Sequence, residues 1–570
     1  MAYFLKKSNL KKGIYLQIYE SFYDPERKGS AHHSYKAIGY VNDLIEKGIP
    51  DPIAYYKDEV ERLNQQRAAE RSAGKARQIS EETPEKLLGY FPLKNINDRL
   101  GVRRYLDLMQ SVTGLQFNVY SMISDLIYAR AVRPCSKSKT FDEVMPRLFS
   151  QGGYSLSQLY SGLGYIGSEY EKIIEIYNHQ IGTLYPFDTS HTYFDCTNFY
   201  FEIDREDDLR RRGPSKENRH DPIVGLGLLL DAHQIPVGMK IYPGNESEKP
   251  VIRGIIDGLK SRNSISGRTI QVADKGLNCA ENIIHALKAG DGYIFSKSVK
   301  LLPETERTWV LLEDGYQDVK DTGGNLRYRI KECTDDFPYA IFDAAGRKKT
   351  VRLKEKRIVT YNPQLAKKQR AEINRQIEKA ISLKASQAKK SEYGDSAKYV
   401  SFIAADKKGE ATGDRVKVIM NEDLIQKDLE LAGYNLLVTS ETKMKPADIY
   451  AAYHNLWRIE ESFRIMKSQL DARPVFAQKE ETITGHFLIC YLAVLLTRIL
   501  QFKVLGDSSC SDDIFNFIKE FKVAKISDRK YINLTRISPF IKQLSQKTQL
   551  PLTSYFLSDG QIKEMLSHRF

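Results

Sequence analysis

Tryptophan and cysteine are scarce in this chain, with 2 and 6 among 570 residues. The cysteines (Cys135, Cys196, Cys279, Cys333, Cys490, Cys510) stand apart with no CxxC pair. That spacing argues against a zinc knuckle and against a secreted disulfide framework, and it fits a reducing, cytoplasmic setting. Long hydrophobic runs are also lacking. The most apolar stretch, Phe487 to Leu496, is too short to cross about 30 Å of hydrocarbon and is followed at once by Thr497 and Arg498. It reads as a buried helix, and no membrane partner is expected. The first residues, MAYFLKKSNLKKGIYLQIYE, are broken by lysine pairs before an apolar core accumulates, so no signal peptide is expected. Acidic residues are outnumbered: 73 Asp and Glu face 86 Lys and Arg, a formal net charge of +13. An anionic partner follows, and with 34 Tyr to meet bases or sugars, nucleic acid leads over a merely basic soluble enzyme.

At this length the chain holds several units. Alternating residues through Ile14–Tyr19 and Tyr35–Val41, around a polar turn with Pro25, Lys28 and Gly29, predict a β-hairpin unit. A charged stretch from about Asn64 to Lys86 predicts a linker or an exposed helix, so the first unit is set at 1–80. Residues 81–185 carry apolar positions at helical spacing with Arg103, Arg104, Arg130, Arg133, Lys137 and Lys139 between them. This is either a helical DNA-binding domain or a helical scaffold with a solvated basic face. From 186 to 300 the texture is strand-rich (TYFDCTNFYFEI, IVGLGLLLD, VGMKIYPG), then helix, strand, helix, strand. The order βββαβαβ is that of an RNase H-like core, an α/β fold built on a mixed sheet. Residues 301–432 form a β-rich insertion with a charged helix at 364–385. Strand NLLVTS, a long helix over Pro446–Leu470 and the buried helix near 485–502 complete the core over 433–505. A basic region, 506–570, has no assigned role.

Three carboxylates stand out. Asp195 lies inside Tyr193–Thr197, where both faces of the strand are apolar or small, an expensive place for a charge without a compensating cation. Asp274 closes the apolar strand IQVAD just before Lys275-Gly276, at the carboxyl edge where open α/β sheets bind ligands. By itself Asp274 also reads as a helix N-cap. Glu460 lies on a helix whose apolar stripe is Leu456, Ile459, Phe463, Met466 and Leu470. Tyr453, Trp457, Glu460, Arg464 and Lys467 share the adjoining face. Arg464 and Lys467 are placed to meet phosphates. The bland alternative is an i,i+4 pair of Glu460 with Arg464. Glu461 is a neighbouring rival that points about 100° away. Carboxylates from separate elements are what Mg²⁺-dependent phosphodiester chemistry requires, with two hard ions about 4 Å apart.

The segment from Tyr453 to Lys467 resembles the Y-x2-R-x3-E-x6-K signature of the IS-four superfamily of DDE transposases, with Tyr453, Glu460 and Lys467 at matching positions. Leu456 stands where that signature has Arg, and Arg458 is a displaced substitute. FDCTNFYFE, GPSKENRHDPIVGLGLLLD, YPGNESEKP, ADKGLN and GYIFSKSVK are similar to blocks of the IS-sixteen-thirty-four branch. The resemblance runs from about Thr192 to Phe502. It implies an insertion-sequence enzyme whose catalytic, metal-holding residues are Asp195, Asp274 and Glu460, with two Mg²⁺ ions that Mn²⁺ can replace. DNA contacts are expected from Tyr453, Arg458, Arg464 and Lys467. The gaps of 79 positions (274 − 195) and 186 positions (460 − 274) leave room for the β-rich insertion usual in that family. Some members stack an insertion Trp on a flipped base, and Trp309 is the one Trp in that region here. Implied partners are double-stranded DNA, as terminal inverted repeats and target, and a second copy of the chain in a homodimer or higher oligomer. Two other readings are a domesticated, non-catalytic DNA-binding protein and an RNase H-like nuclease or resolvase.

Overall fold

The computed structural model describes all residues except 1, 25–28, 76–83, 150–151, 218, 263, 266, 343–345, 386–389, 404–416, 474 and 528. The chain divides into two compact units, Met1–Thr83 and Pro84–Phe570.

The first unit is an antiparallel sheet of β1 (Tyr3–Leu10), β2 (Gly13–Asp24) and β3 (Gly29–Tyr40), in that order. The hairpin expected from alternation is β2–β3; four residues of its turn, 25–28, lie outside the described residues. β1 is an added strand, unseen in the sequence because its Lys and Asn residues blur the period of two. Where a linker or exposed helix was expected, a helix spans Pro52–Lys75. Asn64 ties it to β1 by exchanging hydrogen bonds with the Tyr3 backbone at 2.8 and 2.9 Å. The stretch 76–83 lies outside the described residues.

The second unit opens with β4 (Glu85–Leu87) and helices Phe91–Leu100, Arg103–Ser111, Val119–Val132, Leu156–Ser168 and Tyr170–Leu184. Helix starts are written locally: Asn118 accepts the Ser121 amide, and Ser155 with Gln158 forms a capping box. These helices surround the apolar helix Glu480–Arg498, whose continuation to Val504 is π-helical. Glu480–Val504 is long and apolar enough to cross a membrane, and its most apolar window is wholly buried within the protein. Glycines let it approach the Leu156–Ser168 helix: a Cβ on Gly167 would fall 1.7 Å from the Glu481 carbonyl oxygen, and one on Gly485 would fall 2.1 Å from that of Leu163.

β5 (His191–Tyr200), β6 (Ile223–Leu230) and β7 (Pro236–Pro243) form an antiparallel meander. The helix Val251–Ser261 leads to β8 (Ile270–Ala273), and Ala280–Lys288 leads to β9 (Gly292–Lys297). β8 is parallel to both β5 and β9. The insertion does not stand apart from this sheet. Its strands β10 (Gln317–Lys320), β11 (Leu326–Phe342) and β12 (Lys348–Tyr361) join it through β15 (Tyr434–Thr439), which is antiparallel to both β12 and β9. A nine-stranded mixed sheet results, ordered β10-β11-β12-β15-β9-β8-β5-β6-β7. The buried run at the end of β12, Glu355 to Thr360, explains the extension: that surface must be covered by neighbouring strands and by helices. β13 (Val400–Ile403) and β14 (Lys417–Met420) make a separate ribbon beside the helix Pro363–Ala385.

The C-terminal stretch belongs to this unit. β16 (Lys522–Ser527), β17 (Lys530–Asn533) and β18 (Phe556–Ser558) build a four-stranded sheet closed by β4. Asn95 donates to the Met565 carbonyl at 2.8 Å, fastening the last helix to the first.

Candidate active site

Register places the two aspartates side by side. Phe194 of β5 is opposite Ala273 of β8 in a parallel pair, so Asp195 and Asp274 fall one step beyond, on neighbouring strands. Strands in a sheet lie roughly 5 Å apart. Asp274 occupies the N-cap position of a short 3₁₀ turn, Lys275–Leu277, but its side chain makes no cap hydrogen bond. Its Oδ1 instead accepts from Ser296 Oγ at 2.7 Å and from the Tyr453 hydroxyl at 2.9 Å. Those donors hold its carboxyl below the usual range against the opposing effect of burial.

Asp195 is treated differently. Burial pushes its carboxyl up to about 6, with Lys216 opposing and the Glu248 and Asp274 charges adding to the rise. Its cationic neighbour is the Lys216 ammonium, 4.0 Å from Oδ1, 3.3 Å from Glu248, and hydrogen-bonded to the Cys196 carbonyl. Two adjacent carboxylates, one ionising readily and one held back by burial, form a focus of negative charge open to a cation.

The helix carrying Glu460 is not continuous from Pro446 to Leu470 as its periodicity predicts. It runs Pro446–His454, resets, runs Trp457–Arg464, and ends in a π-helical turn, Ile465–Gln469. At the reset the amides of Leu456, Arg458 and Ile459 bond three residues back instead of four, tightening the turn. The apolar stripe is buried throughout, Leu456 included. Leu456 is thus a core residue at the reset, away from the polar face. Tyr453 reaches Asp274, and its hydroxyl is raised first by burial and then by the Asp274 charge, with Glu460 adding the least. Glu460 is exposed and makes no hydrogen bond or ion pair among the described residues.

Glu461 is the structural acid. It is buried, accepts from Ser511 at 2.7 Å, and pairs with the fully buried Arg498 at 3.0 Å. Arg458 turns to this network too, 3.4 Å from Glu461 and 2.7 Å from Asp507, with its guanidinium over the Trp457 ring. Lys467 lies 3.2 Å from Glu217, and Arg473 bonds the other oxygen of the same carboxylate. Arg464 is exposed.

Trp309 is not beside these groups. It lies on the helix Glu304–Leu311, packed against the core, with the Lys331 ammonium 5.0 Å from its ring centroid. The structure brings together Asp195, Asp274 and Tyr453; Glu460 lies on the following helix, exposed and without a hydrogen bond or ion pair among the described residues, Lys467 is held by Glu217, and Trp309 and Arg458 have other partners. Lys216, Glu217, Glu248, Ser296 and Arg473 are additional. The first three lie inside the blocks GPSKENRHD and YPGNESEKP, whose resemblance was noted without a role for any residue.

Among the described residues no three His, Cys, Asp or Glu side chains stand close enough to hold a metal ion as placed. The donor type nevertheless suits a hard divalent cation: Asp195, Asp274 and Glu460 offer only oxygen.

The family model described as Transposase DDE domain matches residues 201–496, more than half of the chain, a span that includes Asp274 and Glu460 and begins just after Asp195. The chain belongs to this family of DNA transposases. No curated protein matches it in sequence. Among solved structures it is similar to a piggyBac transposase synaptic complex with hairpin DNA, at 9% identity and a TM-score of 0.35, over 75% of this chain and 77% of that one.

Proposed function

We propose that this chain is an insertion-sequence transposase of the IS-four superfamily, in the IS-sixteen-thirty-four branch, that cuts and rejoins DNA with Asp195, Asp274 and Glu460. The observation that carries this reading is the pairing of Asp195 and Asp274 on neighbouring parallel strands, with Tyr453, on the helix that leads into the one carrying Glu460, bonded to Asp274. The strand order β7-β6-β5-β8-β9, a meander followed by two parallel strands, supports an RNase H-like core for this enzyme.

The three carboxylates would hold divalent metal ions, Mg²⁺ or Mn²⁺, which when bound activate the attacking oxygen and support the leaving oxygen. Tyr453 and Ser296 fix the rotamer of Asp274 through one oxygen, so that the carboxylate would be held ready to take a cation. Burial keeps water from screening Asp195. Lys467, Arg464 and Arg473 neutralise phosphates of the strand held for attack, at the place where Glu217 now satisfies Lys467 and Arg473. The enzyme binds terminal inverted repeats as a dimer or higher oligomer, hydrolyses one strand at each end, and turns the freed 3′-hydroxyl on target DNA. Hydrolysis and transfer differ only in which hydroxyl attacks, so one site serves both.

Purified protein with Mg²⁺ and a duplex carrying the terminal repeat that flanks the reading frame tests this directly. Asp195→Ala, Asp274→Ala and Glu460→Ala are each expected to lose cleavage while binding the repeat nearly as well as the unaltered chain. Retained cleavage in any one of them rejects its assignment.

A further inference from the structure

Away from the carboxylates, between the helices Val119–Val132, Leu156–Ser168 and Glu480–Arg498, lies a cavity of about 80 Å³, room for several waters or one phosphate-sized anion. Its polar lining is basic. Arg130 is 6% exposed and His486 5%. Among the described residues Arg130 reaches only the Leu470 and Asp471 carbonyls, both at a long 3.4 Å. The Lys137 ammonium donates to His486 Nδ1 at 3.0 Å, while His486 Nε2 is spent on the Ala472 carbonyl at 3.0 Å. Asp471, the one carboxylate in the lining, is exposed and forms no ion pair with either cation. Two cations beside one cavity without an anion are costly unless something negative enters. Burial and the adjacent Arg130 hold the Lys137 ammonium well below its ordinary range, and an anion in the cavity would favour its charged form. At the rim stand two exposed aromatic rings, Tyr160 at 42% and Phe476 at 72%.

We propose that this cavity is a phosphate-binding site for one nucleotide of a DNA strand, its phosphate against Arg130, Lys137 and Ser136 and its base on the Phe476 and Tyr160 rings. Cations flanked by aromatic faces are how proteins hold single strands without reading their sequence. The lining residues Asp471, Val475, Phe476 and Ala477 come soon after the helix of Glu460 and Lys467 in the chain, with the basic Arg473 just before Val475 and Phe476 in sequence, so a strand leaving the carboxylates meets positive charge on the way to the cavity. The choice of DNA as the carrier of the phosphate rests on the function proposed above; the anion site does not.

The test uses the full chain, a labelled short oligothymidylate, and inorganic phosphate. Lys137→Gln keeps a donor for His486 without the charge. It is expected to bind oligothymidylate about tenfold more weakly, the worth of one charge-assisted hydrogen bond, and to lose the rise in Tm that phosphate gives the unaltered protein. Without ligand its Tm is expected to be unchanged or higher, because a poorly compensated charge is gone. Phe476→Ala is expected to weaken oligothymidylate binding while keeping the response to phosphate. Unchanged binding of both probes by Lys137→Gln, or a ligand-free Tm well below that of the unaltered chain, overturns the site. A phosphate response with oligothymidylate binding indifferent to Phe476→Ala overturns the nucleotide and leaves a free anion. All readouts are binding or melting, so Glu460→Ala, inactive in cleavage, is expected to retain them, and the two proposals fail separately.

Discussion

At the scale of single residues, the aspartates divide the work by environment. Asp274 has two hydroxyl donors and ionises below its usual range, whereas Asp195 is held at about 6 chiefly by burial. A carboxyl whose folded value is raised above the unfolded one near 3.8 costs stability. The cost grows as pH rises through that window and is complete above about 6. Asp195→Asn is therefore expected to stabilise the metal-free protein by about 2–3 kcal/mol at pH 7.5, with the gain shrinking toward pH 4, as read by chemical denaturation. A variant less stable than the parent at pH 7.5 contradicts the assignment of burial as the dominant cause. Glu217 is the second residue with a clear sign. Its carboxylate occupies Lys467 and Arg473 where phosphate would, so Glu217→Gln is expected to tighten binding of a random duplex several-fold, and Arg473→Gln to weaken it. If both variants shift affinity the same way in a titration, the triad is merely structural.

At the scale of elements, the helix bearing Glu460 is positioned from behind. Its apolar stripe was legible in the sequence because buried residues must repeat at helical spacing. The reset at Asn455–Leu456 and the π-turn at Ile465–Gln469 were not, since a local tightening or widening of the backbone leaves no mark in composition. The long apolar helix Glu480–Val504 supports it through Arg498 and Glu461 and is itself seated by glycine contacts with Leu156–Ser168. Gly485→Ala would press a methyl into the Leu163 carbonyl. A loss of about 3 kcal/mol or more is expected, visible as a fall in Tm of the second unit, and an unshifted transition would refute that close approach. Glu461 and Glu460, adjacent in sequence, have opposite tasks. The helical angle between them separates a buried ion pair from an exposed carboxylate.

At the scale of the whole molecule, the net charge of +13 predicts an association with DNA that weakens steeply with salt. Log affinity plotted against log salt is expected to fall with a slope of about 0.9 per phosphate neutralised; an affinity indifferent to salt rules out phosphate contacts as its main source. The amino-acid sequence by itself pointed to the transposase class, through the spacing of Tyr453, Glu460 and Lys467 and the blocks around Asp195 and Asp274, and the family match bears that class out. It also determined the alternation of strands and helices in the core, because burial enforces periods of two and 3.6. Only the tertiary structure decided that the insertion extends the sheet, that the C-terminal stretch closes on β4, and that Trp309 and Arg458 are engaged elsewhere. It alone set Lys216 and Glu217 against charges about 20 and 250 positions away in the chain. Those outcomes depend on which surfaces meet after folding, and pairing between distant residues is recorded in no local pattern.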